Sequence, residues 1–204
     1  NERLQVAAAI PNETAGVITS GQVTFDTGNS TITCPGGASG CQLALNVFDP
    51  GRTPTNLPAG VFSSTIAQIT PFGATLTPGG KLIFPNSDAN PAGTPLRLYR
   101  YDQTPTSATF GQFVDIGPGI ISSDGQRLET TANAVTQASY YLISRQWRLM
   151  ATIIGHVVEA DGVRPVRRAV VSARGQSTFT DGNGGFVLRN IPVIKANDTV
   201  TLEV

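Results

Sequence analysis

Turn punctuation limits this chain more than anything else in it. Its 22 glycines and 14 prolines are scattered among short runs rich in Val, Ile, Thr and Tyr, and no segment sustains a helical period. Glycine supplies the positive φ that tight turns need, and proline interrupts helices and central strands. The β-branched and aromatic runs between them suit a pleated, half-buried surface. The expectation is an all-β chain of two antiparallel β-sandwich-type modules in tandem. A length of 204 residues allows this, since domains usually hold about 50–200 residues.

The runs that read as strands are 17–25, 42–48, 61–70, 81–84, 96–101, 112–116, 120–122, 127–131 and 139–144. In the cleanest, alternation places Leu96, Leu98 and Arg100 on one side and Arg97, Tyr99 and Tyr101 on the other, and one side must be core. Asp124-Gly125 tolerates the positive φ of a two-residue turn, so 120–122 and 127–131 should form a hairpin. Gly36-Gly37 and Gly79-Gly80 also read as hairpin turns. Residues 131–138 allow one short helical turn, which their Val, Thr and Asn content disfavours.

Charged residues form only 14% of the chain and cancel to zero formal charge, so no basic surface meets a phosphate backbone and nucleic acid is not an expected partner. No run approaches the roughly 18–20 apolar residues of a spanning helix. A Ser or Cys hydrolase needs a histidine base held by an acidic partner. The one histidine, His156, reads as a strand residue. The acidic residues mostly flank Gly, Pro or Asn and read as turn formers. No catalytic, cofactor-binding or metal-binding set is therefore expected.

Cys34 and Cys41 are the two cysteines, and they frame Cys-Pro-Gly-Gly-Ala-Ser-Gly-Cys. A turn so rich in Gly and Pro can bring the thiols within bonding distance, and in an oxidising compartment they would pair. Free thiols and a metal clip are the competing readings. Zinc needs about four ligands, which a chain with a single histidine is poorly equipped to supply.

The texture changes across 145–150, which holds the only Trp, Trp147, and the only Met, Met150. The module boundary is placed there, giving 1–147 and 148–204, with Trp147 expected to pack one module on the other.

From Ile153 the chain carries Gly155, Val157, Pro165, Val166, Ala169 and Val171, then Thr180, Asp181, Gly184, Gly185 and Phe186, then Ile191 and Pro192. This pattern resembles the carboxypeptidase regulatory-like module, a transthyretin-like sandwich without catalytic zinc. The resemblance covers 151–204 and implies a structural or interaction role. Val166, Ala169 and Val171 would share a core only with a bulge between the first two. Phe179 and Phe186 are expected in one core across the turn at Asp181–Gly185. An Asp-x-Asn turn could also open a calcium loop, but Pro192 stands where that loop needs an acid. The chain ends soon after these strands, so the module is expected to lack its last one and to belong to a longer polypeptide.

Residues 57–62, 77–86, 93–102, 111–117 and 120–125 resemble, less specifically, a ZU5-like β-domain. Some such domains cut themselves at His-Phe-Ser, a triplet this sequence does not contain.

The combined expectation is a non-enzymatic structural or adhesive module pair of a secreted or cell-surface protein, of bacterial source. Its partners would be other domains of the same polypeptide and a protein or glycan ligand. The alternative is a carbohydrate-binding module with Tyr99, Tyr101, Tyr140 or Tyr141 as an aromatic platform; a hydrolase or self-cleaving domain ranks lower. Thiol titration of oxidatively produced, denatured protein should find no reactive thiol, and two titratable thiols per chain would remove the disulfide.

Overall fold

The computed structural model describes residues 10–11, 16–38, 41–49, 53–146, 149–193 and 199–204. Its strands, numbered along the chain, are β1 (Ile10–Pro11), β2 (Val17–Ser20), β3 (Val23–Asp26), β4 (Thr31–Thr33), β5 (Gln42–Phe48), β6 (Ile66–Thr70), β7 (Thr75–Pro85) and β8 (Leu96–Tyr101). They continue with β9 (Phe113–Ile121), β10 (Arg127–Thr130), β11 (Val135–Gln137), β12 (Tyr140–Arg145), β13 (Leu149–His156), β14 (Val170–Ala173), β15 (Gln176–Phe179) and β16 (Gly185–Val193). The protein is all-β with antiparallel sheets. No helix among the described residues is long and apolar enough to cross a membrane.

The chain forms two compact units, the first from Asn1–Asp49 and Ser64–Arg145, the second from Pro50–Ser63 and Gln146–Val204. The second unit thus combines the segment Pro50–Ser63 with the residues from Gln146 onward.

The first unit is one continuous sheet in the order β1-β5-β6-β12-β8-β9-β10-β7-β3-β2, with β4 and β11 also paired to β7. The sheet curls around its own core and nearly closes where β2 comes alongside β5. Inward-facing Ile18, Phe25, Leu43, Leu45, Ile69, Leu76, Leu82, Phe84, Leu98, Tyr141 and Ile143 fill that core. Leu96 and Leu98 point into it, which answers the alternation seen in 96–101.

Several local expectations change. The run 17–25 is a hairpin, because Gly21 at φ 57° turns the chain between β2 and β3. The runs 112–116 and 120–122 fuse into β9, which absorbs the interruption as a bulge opposite Leu98/Tyr99. The run 61–70 is strand only from Ile66, and 131–138 contributes β11 in place of a helical turn. The hairpin at Ser122–Arg127 is present, closed by Ser122 N–H to Arg127 O at 2.9 Å.

Gly79-Gly80 is not a hairpin turn. It lies inside β7, where the strand changes partners: Thr75–Gly80 pairs with β4 and β11, and Lys81–Pro85 with β3 and β10. Gly79 takes φ 126°, open to glycine and strained for other residues. The Ser30 hydroxyl donates to Gly79 O at 2.7 Å and accepts from Gly79 N–H at 3.1 Å, satisfying both backbone groups at the crossing. At Gly80 the Phe25 ring lies 2.5 Å from where a Cβ would stand.

In the second unit β13 pairs β16 and β14 pairs β15. Val171, Ala173, Phe186, Leu188 and Ile191 form the core, with Ala151, Ile153, Val157 and Val200 packed against it. Phe186 is buried but Phe179 is 68% exposed. Register explains the difference: Val171 pairs with Thr178 and Val170 with Phe179, so burying Val171 turns Phe179 outward. Val166 and Ala169 are half-buried and lie outside that core. Between them Arg168 turns at φ 56°, so the bond partner changes from Val157 at Val166 to Thr180 at Ala169.

The segment 53–63 completes this unit. Leu57 N–H donates to Gly175 O at 3.0 Å, and Gln176 Nε2 donates to Leu57 O at 2.8 Å. Asn56 Oδ1 accepts from Ser177 N–H at 3.0 Å while its Nδ2 donates to Ser177 O at 3.4 Å. One side-chain amide thus occupies the open edge of β15 as a neighbouring strand would.

Gly80→Ala should destabilise the protein by about 1–3 kcal/mol, because the methyl must displace a core ring. Urea unfolding measures this, and an unchanged midpoint would show that the crossing relaxes freely.

Candidate functional site

The most distinctive surface is a transverse row on the outer face of the first unit. Register sets Asn46 on β5 beside Gln68 on β6, and Gln68 beside Tyr140 on β12. Tyr141 pairs with Arg100 on β8, so the next position brings Tyr140 beside Tyr101, which pairs in turn with Phe113 on β9. Because Leu45, Ile69, Tyr141 and Leu98 face the core, alternation turns all five members of the row away from it.

The rings interlock. Tyr101 meets Tyr140 edge-on at 5.8 Å and 87°, and Phe113 at 5.6 Å. Phe72 lies 5.4 Å and Phe48 6.3 Å from Tyr140. Tilted and edge contacts of this kind are what ring quadrupoles prefer. Phe113 is buried, Phe48, Tyr101 and Tyr140 are half-buried, and Phe72 is 40% exposed. On the polar side Asn46 Nδ2 donates to Gln68 Oε1 at 3.2 Å. Partial burial pushes the Tyr140 phenol pKa up, and a hydrogen bond from Gln68 opposes that shift.

A built loop supports Tyr101. The Ser139 hydroxyl donates to Tyr101 O at 2.6 Å and accepts from Gln103 Nε2 at 3.0 Å. The adjacent Asp102 is buried, and its carboxylate accepts from Thr104 N–H at 3.0 Å and Thr109 Oγ1 at 2.6 Å. Hydrogen bonds from Ser107, Thr109 and Thr104 hold this carboxyl far below the ordinary carboxylate range and outweigh the desolvation opposing them. Its backbone closes the loop, donating to Gln112 O at 2.8 Å and accepting from Gly111 N–H at 2.9 Å.

Of the four tyrosines considered as a platform, the structure brings together Tyr101 and Tyr140. Tyr141 is fully buried and Tyr99 is 7% exposed, so neither offers a ring face. Tyr141 follows Tyr140 directly, and strand alternation sends it into the core. Asn46, Phe48, Gln68, Phe72 and Phe113 were not singled out from sequence. Period two in 42–48 points Asn46 outward, but its place beside Gln68 and Tyr140 depends on strand order.

Cys34 and Cys41 are bonded, with S–S 2.01 Å and Cα–Cα 5.8 Å, across a single 3-10 turn at Pro35–Gly37. Trp147 lies outside the described residues. In the second unit an open cleft of about 420 Å³ is lined by Ile154, His156, Phe179, Asp181 and Val187, among others. His156 is exposed there. Asp181 Oδ1 accepts from Asn183 N–H and Gly185 N–H, each at 2.8 Å. These bonds hold the Asp181 pKa down, and the nearby His156 adds a smaller electrostatic contribution in the same direction. Among the described residues no group of three or more His, Cys, Asp or Glu is placed to hold a metal ion. The chain matches no known family model and no curated protein.

Asp102→Asn should lower the melting temperature at neutral pH. The folded carboxyl titrates below its unfolded counterpart, so its stabilisation is complete above about pH 5 and is lost as pH falls below about 4. Melting curves of the two proteins should therefore converge in acid. A gap independent of pH would show that the carboxylate charge is not what holds the loop.

Proposed function

We propose that this chain is a non-enzymatic structural and adhesive module pair of a larger secreted or cell-surface protein, with the outer aromatic face of the first unit as its contact surface. The observation that carries this reading is the row of half-exposed rings fixed on neighbouring strands and braced by the Asp102 loop. Large rings locked before contact offer area at low entropic cost, the property adhesive surfaces exploit. The Cys34–Cys41 bond fits an oxidising setting. The resemblance of 151–204 to the carboxypeptidase regulatory-like module, and of the preceding region to a ZU5-like domain, supports a place among other domains of an exported bacterial protein.

Beads coated with the protein should be retained on bacterial or eukaryotic cell surfaces or on immobilised matrix. The double variant Phe72→Ala/Tyr140→Ala should lose most of that retention while keeping its near-ultraviolet circular dichroism. Retention equal to that of the unaltered protein would remove the aromatic face from the function, and no retention on any surface would leave only a spacer role.

A further inference from the structure

We infer that the row Asn46–Gln68–Tyr140–Tyr101, flanked by Phe72 and Phe48, binds a neutral saccharide, an inference that rests on the adhesive reading above. A sugar ring presents an apolar face of C–H bonds and an edge of hydroxyls. The row presents the complement in the same order, rings on one side and amides on the other.

The polar groups along it have an order. Asn46 Nδ2 donates to Gln68 Oε1, and register sets Gln68 beside Tyr140 on the next strand. The Tyr140 hydroxyl can donate to a ligand and the carbonyl oxygen of Asn46 can accept from it, a donor at one end and an acceptor at the other. Neighbouring hydroxyls of a saccharide can accept from the first and donate to the second.

Phe72 supplies the apolar contact. It is 40% exposed and inclined at 43° to Tyr140, 5.4 Å away, so the two rings form an open angle against which the edge of a sugar can rest. From β5 to β8 the row crosses three strand spacings, roughly 14 Å at about 4.8 Å each. That length suits a short run of sugar rings better than one alone.

Charge excludes the commoner anionic polysaccharides. None of Asn46, Phe48, Gln68, Phe72, Tyr101 and Tyr140 is charged. The nearby Asp102 carboxylate is engaged by Ser107, Thr109 and Thr104. Arg100 pairs with Tyr141 in the register of the core face.

The test is native affinity electrophoresis in gels containing hydroxyethylcellulose, mixed-linkage β-glucan, glucomannan or xylan, with polygalacturonate and heparin as charged comparisons and a proline-rich decapeptide as a soluble competitor. At least one neutral polymer should retard the protein. Tyr140→Ala should weaken that binding about tenfold or more, as loss of a central anchoring ring does. Tyr140→Phe keeps the ring and removes the donor, and should weaken it by about threefold to tenfold. Phe72→Ala, at an exposed position, should weaken binding without disturbing the fold, and Phe179→Ala in the second unit should leave it unchanged.

Absence of retardation in every neutral gel overturns the proposal, as does retardation by the charged polymers alone, retardation insensitive to both Tyr140→Ala and Phe72→Ala, or displacement by the decapeptide. If bead retention depends on Phe72 and Tyr140 while no neutral polymer retards the protein, the saccharide falls and the adhesive reading stands. If neither responds to those substitutions, both fall.

Discussion

The first unit depends on a single long strand crossing its own core. β7 carries Leu76 on one side of the crossing and Leu82 and Phe84 on the other, and all three are buried in one cluster. A strand can serve four neighbours only if its backbone bends midway without leaving polar groups unpaired. Ser30 answers the polar requirement by bonding both the N–H and the C=O of Gly79. Gly80 answers the steric one, because Phe25 fills the space a side chain would need. With each large core residue contributing about 1.5–3 kcal/mol of burial, a misplaced crossing would forfeit several such contributions at once.

From that curled sheet follows the asymmetry of its strands. Tyr140 and Tyr141 are chemically identical neighbours with opposite fates. Tyr141 is enclosed, its phenol donating to Gln137 O and its pKa pushed up by burial. Tyr140 stands half outside, where Phe48, Phe72 and Tyr101 steady it. The outer row is therefore held by the same strands that build the core, and it gains their rigidity. The Asp102 loop extends this order beyond the end of β8 by replacing water around a carboxylate with hydroxyl and amide donors.

The second unit shows a different economy. Its sheets are two-stranded, and isolated two-stranded ribbons are marginal in water. Here they gain a shared core and an incoming segment. Asn56 and Leu57 bond to the β15 edge and its preceding turn. Gly175 is needed at that turn, since its φ is 77° and Leu57 lies 2.3 Å from where a Cβ would stand. Ile154 and Phe179 remain 74% and 68% exposed, and they rim a cleft that also holds His156 and Asp181.

What could be read from the linear chain was local. Alternation in 96–101, the Asp-Gly hairpin at Ser122–Arg127 and the strands 42–48 and 96–101 depend on neighbours a few residues apart, so composition and spacing determine them. All-β class follows from the same short-range rules summed over the chain. The partner change at Gly79-Gly80, the outward turn of Phe179, the attachment of 53–63 to the second unit and the meeting of Asn46, Gln68, Tyr140 and Tyr101 were decided only in three dimensions. Each depends on which strand lies beside which, and that order is chosen by closing one core from segments tens of residues apart, a comparison of whole packings that no local pattern encodes.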